Sequence, residues 1–316
     1  MRISSPRHSL ALGLSAAALV GGAAIALGAT HDAAARATSA AATSCPKGGW
    51  NFAVEPYDTN ANLVSAYSGL VKDISKNLAC KVNFKVTSDY VSEIEAMRAK
   101  KVDFMEVGPL GYIFAKQLAH ATPVAAFGYK GKPVVYYAQL YCTKGSHITS
   151  VAGLKGKSLV LSSPTSTSGY AYPIYALESH KLNPNSDVHI KYSGSHPNSL
   201  SALLAANSDS SLPQCAEVNT QEASSASNIF KPSDFVRIWR STAIPNDPIA
   251  VRATLGAATV KRIQGAFLKL TASQLAPAEK EFGTPISKMV KATDSLYAPV
   301  YQVIKADHLK ISFLNG

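Results

Sequence analysis

Val160-Leu161-Ser162-Ser163-Pro164-Thr165-Ser166-Thr167-Ser168-Gly169-Tyr170 runs from an apolar strand through a hydroxyl-rich loop into the start of a helix. A helix start leaves backbone N–H groups unpaired and carries partial positive charge. Ser and Thr hydroxyls add donors without a full counter-charge, so such a segment suits a small anion. The same residues would equally serve as an ordinary Ser/Thr helix cap. They are not a nucleotide P-loop, because the G-K-[ST] ending is absent.

Outward from this stretch the chain alternates apolar runs with helical spacing. Trp50 to Val54 reads as a buried strand, and Leu63, Tyr67, Leu70, Val71 and Ile74 follow at helical intervals. Val82 to Val86 predicts a strand, Val91 to Lys100 a helix, Val102 to Val107 a strand and Leu110 to Leu118 a helix. Strands are expected at Thr122 to Phe127, Val134 to Cys142, Ser158 to Leu161, Val188 to Tyr192 and near Cys215 to Val218. Helices are expected from about Gly169 to Ser179 and from Ser199 to Ala206. This alternation implies an α/β fold with parallel sheets. No repeat suggests a solenoid. No Pro/Gly linker divides the chain, so two lobes would require the chain to cross between them more than once.

The 316 residues are 47% apolar and 16% charged, enough for a sizeable core and outside the range of a disordered chain. Lys and Arg number 31 against 20 acids, a formal +11. The charges are scattered without a basic run or aromatic interleaving, which argues against nucleic-acid binding, although a basic surface can steer anions. Arg2 and Arg7 precede the apolar stretch Leu10 to Ala29, and Ala35-Arg36-Ala37 offers a small-residue cleavage site before Thr38. The expectation is a signal peptide over 1–37; a retained membrane anchor is the competing reading. Ala42-Thr43-Ser44 before Cys45 is not a lipobox.

Four cysteines, Cys45, Cys80, Cys142 and Cys215, in an exported chain point to disulfides. Three pairings are open. Cys45 and Cys80 each stand just before an apolar run, so two strands starting side by side would join them and leave Cys142 with Cys215. A metal site is disfavoured because there is neither C-x-x-C nor H-E-x-x-H, and no cofactor is expected.

Several further pieces occur in a fixed order: Lys81-Val82 with Asp89-Tyr90, Met97-Arg98 with Lys101-Val102-Asp103, and Val107-Gly108-Pro109-Leu110 with Tyr112. Leu154-Lys155-Gly156-Lys157, Ser166-Thr167-Ser168-Gly169 with Pro173, and Gly194-Ser195-His196 follow. Asn219 to Glu222, Ile238-Trp239-Arg240-Ser241 and Ile244-Pro245-Asn246-Asp247-Pro248 complete the series. From about Trp50 onward the chain resembles the periplasmic phosphate, phosphite and phosphonate-binding proteins of ABC transporters. The resemblance implies a type II, two-lobed Venus-flytrap protein. One lobe would comprise 45–135 plus 244–316 and the other 136–243, with the crossings near Pro133 to Tyr137 and Trp239 to Ile244 as hinge.

The resemblance also implies roles. Ser166, Thr167, Ser168 and His196 would contact the oxyanion, Tyr90 and Tyr136 would line the cleft, and Glu222 and Asp247 would accept hydrogen bonds from a ligand amino group. Neutral donors can hold an anion without a buried Arg, and two carboxylates would penalise a bare dianion. Each residue has a plainer alternative: a helix cap for His196, core or strand-end packing for the tyrosines, a turn for Asp247, solvent for Glu222. Glu106 departs from the family pattern and is either a third cleft carboxylate or outward-facing. The implied partners are a small oxyanion and an inner-membrane ABC permease, or a sensor kinase, with the receptor a periplasmic monomer. A secreted hydrolase built on Ser166 or Ser168 with His196 lacks a G-x-S-x-G elbow and an evident orienting acid.

Overall fold

Strand β1 (Trp50–Val54) buries four of its five side chains, as a central strand covered on both faces must. It pairs in parallel with β2 (Val82–Val86), Trp50 opposite Val82, and with β3 (Phe104–Glu106), Val54 opposite Glu106. The computed structural model describes residues 44–306, so the expected signal peptide and its cleavage point lie outside the described residues. Among the described residues no helix is long and apolar enough to cross a membrane.

Helix α1 (Asn60–Leu78) links β1 to β2. The Thr59 side chain accepts the Asn62 N–H at its start, and Ala79 turns left-handed at φ 48° to end it. Its Leu63, Tyr67, Leu70 and Ile74 pack on Phe52 and Phe104. Helix α2 (Tyr90–Arg98) links β2 to β3, capped by Asp89, which accepts the Ser92 N–H at 2.7 Å. Helix α3 (Pro109–Ala119) opens with Pro at its first turn.

The chain continues through β4 (Ala121–Tyr129), β5 (Lys132–Pro133), β6 (Val135–Tyr136), β7 (Gln139–Thr143) and β8 (Ser158–Leu161). Helix α4 (Tyr172–Ser179), β9 (His189–Tyr192), helix α5 (His196–Ala206), β10 (Cys215–Glu217) and helix α6 (Thr220–Ser225) follow. The return passes through β11 (Phe235–Arg240), β12 (Ile244–Pro245) and β13 (Pro248–Arg252). Helices α7 (Ala257–Leu268) and α8 (Ala272–Phe282), β14 (Lys288–Lys291) and helix α9 (Ala298–Ala306) complete the described chain.

The first sheet has the order β14-β4-β13-β3-β1-β2, with β5 paired on β4; the second runs β11-β7-β10-β8-β9. The sheets are mixed rather than wholly parallel. β13 returns antiparallel between β3 and β4, and β7 lies antiparallel to both β10 and β11. Apolar clusters cover both faces of each sheet: Phe52 and Phe104 lie in one cluster of the first sheet while Ala53 and Met105 lie in the other, as strand alternation requires. Asp103 and Arg252 pair at 2.7 Å, and Asp103 also accepts the Asn51 N–H, tying β1 to β13.

The single strand expected over Val134 to Cys142 is two, β6 and β7. Between them the Tyr137 and Ala138 N–H groups donate to Thr220 Oγ1 at 3.1 Å and Ser241 Oγ at 2.9 Å instead of a strand ladder. The chain leaves the first sheet through β6 and comes back through β12, and these two segments pair antiparallel, Tyr136 opposite Ile244. Both disulfides are present. Cys45 joins Cys80 beside the parallel starts of β1 and β2, and Cys142 joins Cys215 from directly opposite positions on β7 and β10.

Candidate functional site

The site forms where the carboxyl ends of β1, β3, β8 and β10 point, the usual crevice of open α/β sheets. After β8 the chain folds back on itself. Ser162 N–H donates to Gly169 O at 3.1 Å and Ser166 N–H to Ser163 O at 2.8 Å, while Ser166 Oγ accepts the Gly169 N–H. The helix does not begin at Gly169 as the sequence suggests. It begins at Thr167 with one wide π-helical turn over Thr167–Ala171, a local widening often found at functional sites. Gly169 is needed for close approach: a Cβ there would stand 1.8 Å from Ser162 Oγ and 2.9 Å from His196 Cε1.

Across from this turn, α5 presents His196. Its Nε2 lies 3.3 Å from Ser166 Oγ, and its Nδ1 lies 2.8 and 3.0 Å from the two oxygens of Glu217 at the end of β10. Both side chains are buried, 7% and 0% exposed. A carboxylate on Nδ1 fixes the ring and leaves Nε2 for the cavity. Burial pulls the His196 pKa down, but the charge and hydrogen bond of Glu217, with Glu222 and Asp247 beyond, turn the net shift upward. The shift favours the charged, two-donor form of the ring, which suits an anion.

Tyr136, Ser166, Thr167, Ser168, His196, Glu222 and Asp247 all line one cavity of about 30 Å³. The Tyr136 hydroxyl lies beside the Thr167 and Ser168 side chains; burial pushes its pKa well up, and these two hydroxyls pull it down. Glu222 sits in the first turn of α6, where Asn219 accepts the Gln221 and Glu222 N–H groups. Tyr90 is not in the lining. It is 2% exposed, stands behind the wall beside Glu55 and Asp247, and its hydroxyl has no partner. Glu106 also lies beneath the wall, fully buried on the face of β3 that carries Phe104, with its carboxyl toward Tyr67.

The sequence reading missed several lining residues, chiefly Glu55, Asp58 and Glu281, together with Glu217 behind His196. Glu55 ends β1 against the start of α3: a Cβ on Gly108 would stand 2.8 Å from Glu55 Oε1 and 3.5 Å from Thr167 Oγ1. Its only sequence signal is a carboxylate closing a mostly apolar strand, a position that is otherwise core.

The lining therefore holds five carboxyls, Glu55, Asp58, Glu222, Asp247 and Glu281, and His196, with neither Lys nor Arg among the described residues. The overall basic charge of the chain does not extend into its cavity. Burial raises Glu222 and Asp247 to about 7 against the lowering pull of His196. Burial together with the neighbouring Asp58 carries Glu281 to about 8. Glu55 and Glu106 are pushed well above the carboxylate range, by burial first and then by neighbouring acids. The arrangement can grip an oxyanion with hydroxyls, helix-start amides and an imidazolium, and it offers acceptors to a cationic substituent.

Residues 52–297 match the sequence model of a family described as the periplasmic substrate-binding protein of the phosphonate ABC transporter. The chain is 26% identical over 226 residues to the phosphate-import protein PhnD of Mycolicibacterium smegmatis, covering 68% of this chain and 70% of that one. It is 28% identical over 226 residues to the phosphonates-binding periplasmic protein of Escherichia coli, covering 69% and 65%. Its fold matches a binding-protein component of an ABC phosphonate transporter from Pseudomonas aeruginosa, at TM-score 0.70 and 23% identity over 82% of this chain and 86% of that one. It also matches a Prochlorococcus marinus protein solved with methylphosphonate, at TM-score 0.68 and 17% identity over 81% and 97%.

Proposed function

The chain belongs to the periplasmic substrate-binding proteins of phosphonate ABC transporters, and from that premise we propose that it captures a small phosphonate or related phosphorus oxyanion between its two sheets and hands it to an inner-membrane ABC permease. It works as a monomer without a cofactor, after an N-terminal signal peptide over 1–37 has directed its export. The lobes are 45–135 with 244–316, and 136–243, and the paired segments β6 and β12 carry the hinge.

The observation that carries this reading is the buried turn Ser166-Thr167-Ser168 facing His196, with neither Lys nor Arg in the lining among the described residues. Oxyanion oxygens take the hydroxyls, the open N–H groups of the π turn and His196 Nε2. Glu222 and Asp247 take an amino substituent. Tyr136 closes the same cavity beside these hydroxyls. In this reading the Ser166-His196-Glu217 chain serves binding: Ser166 Oγ is already engaged by the Gly169 N–H as a cap.

Calorimetric titration of the mature protein with 2-aminoethylphosphonate, methylphosphonate, phosphite, phosphate and sulfate tests the proposal. Tight binding of phosphonates over sulfate is expected. Binding of none of the phosphorus oxyanions would overturn it.

A further inference from the structure

Helix α9 is the last described element, and its Pro299, Gln302 and Val303, spaced by three and four residues, form one stripe along the helix. That stripe is one wall of a groove of about 370 Å³. The other walls are Tyr172 and Tyr175 on α4 and Trp239 with Arg240 at the end of β11. None of these residues lines the cavity that holds the Ser166-Thr167-Ser168 turn. Tyr172 and Val303 are 2% and 7% exposed and belong to one buried cluster, with Trp239 half-buried against it, whereas Tyr175 at the rim is 38% exposed. An aromatic wall left in water gains free energy when an apolar occupant covers it.

Position 306 falls on the same stripe as positions 299, 302 and 303, so the chain leaves α9 on the side of the groove. Residues 307–316 follow and lie outside the described residues. Among them Leu309, Ile311 and Phe313 alternate with Lys310 and Ser312, the period that gives an extended segment one apolar side. Ten extended residues reach roughly 33 Å, against roughly 12 Å for the length of an eight-residue helix such as α4. The segment is long enough to run the whole groove.

We propose that this groove is the docking site of the chain's own segment 307–316, with Leu309, Ile311 and Phe313 packed on Tyr172, Tyr175 and Trp239. Helix α4 packs on the second sheet through Ile174 and Leu177, and α9 on the first through Val300. The docked segment therefore braces elements of both sheets. This inference is independent of which ligand the cavity takes.

Trp239 reports on the groove, because the only other tryptophan, Trp50, is 6% exposed in a separate cluster. The test is acrylamide quenching of tryptophan emission, with thermal melts, on the full mature protein, on a chain ending at Ala306, and on the full-length triple variant Leu309→Ser/Ile311→Ser/Phe313→Ser. Both variants should show red-shifted emission and stronger quenching, and the melting temperature should fall by about 2–4 °C or more. A synthetic peptide of residues 307–316 should restore protection to the shortened chain. Should the shortened chain fail to fold, the triple variant decides alone. Equal quenching of all folded forms would overturn the proposal, and so would a rise confined to the shortened chain, because the apolar side of the segment is what docks. If protection in the full protein disappears on dilution together with a dimer, the occupant is a second copy and the proposal falls.

Discussion

Thr167 Oγ1 accepts the backbone N–H of Leu110 at 2.8 Å, a buried bond between the hydroxyl-rich turn after β8 and the first turn of α3. Leu110 follows β3 of the first sheet and Thr167 follows β8 of the second, so this bond joins the ends of strands from both sheets beside the cavity. Thr167→Val keeps the shape and removes the oxygen, leaving the buried Leu110 N–H unpaired at a cost of about 1–3 kcal/mol. Ligand affinity should fall about tenfold or more, and the melting temperature of the ligand-free protein should move only a few degrees. Titration and thermal melts of the variant check both.

Glu217→Gln should convert His196 from a charged donor into a neutral one. His196 is raised in the folded protein, so its contribution to anion binding is complete at low pH and is lost as pH rises through that raised value. In the variant this loss should set in at lower pH. Just above the ordinary histidine value of about 6.5 the affinity for a dianion should drop, by up to roughly tenfold, while at pH 5 it should change far less. Calorimetry across this range reads the shift, and parallel profiles for the two proteins would remove Glu217 from the binding reaction.

The acidic wall makes a prediction about stability without ligand. Glu222, Asp247 and Glu281 are raised to about 7, 7 and 8, and Glu55, Glu93 and Glu106 are raised as well. Raised carboxyls bind protons more tightly in the fold than in the open chain, so they stabilise the fold at low pH and that contribution is lost as pH rises from about 4 through these values. The ligand-free protein should therefore melt at a higher temperature at pH 5 than at pH 8. An amino-phosphonate should raise the melting temperature more at pH 8 than methylphosphonate does.

Removing either disulfide should cost a few kcal/mol, since they close chain separations of 35 and 73 residues and loop closure of that length contributes about 4 kcal/mol in the chain-entropy account. Denaturant melts of the Cys45→Ser/Cys80→Ser and Cys142→Ser/Cys215→Ser variants measure each. Intact mass with and without reduction should show a gain of four hydrogens.

The sequence carries the fold where the signal is local. Trp50–Val54 and Val82–Val86 were readable as apolar runs, and α1 as a stripe at helical spacing, because burial imposes those periods on neighbouring residues. The break between β6 and β7 was not readable, since what stops the ladder at Tyr137 and Ala138 is a pair of hydroxyls 83 and 103 residues away. The site divides in the same way. Ser166, Thr167 and Ser168 announce themselves as a hydroxyl-rich turn, whereas Glu217 acquires its meaning only when β10 brings it against His196, 21 residues earlier. Glu55 and Glu281 are meeting places of elements far apart in the chain, and no window of neighbours records them. Glu106 was visible as an anomaly, but its direction toward Tyr67 depends on the pleat of β3.

Each crosslink joins strands, or the chain just before strands, within one sheet: Cys45 to Cys80 beside β1 and β2, Cys142 to Cys215 between β7 and β10. Neither ties one sheet to the other. Oxidation therefore staples each sheet within itself and adds no crosslink between the two. Both staples can thus be in place before any ligand arrives, and what joins the two sheets beside the cavity is reversible, as in the bond of Leu110 to Thr167.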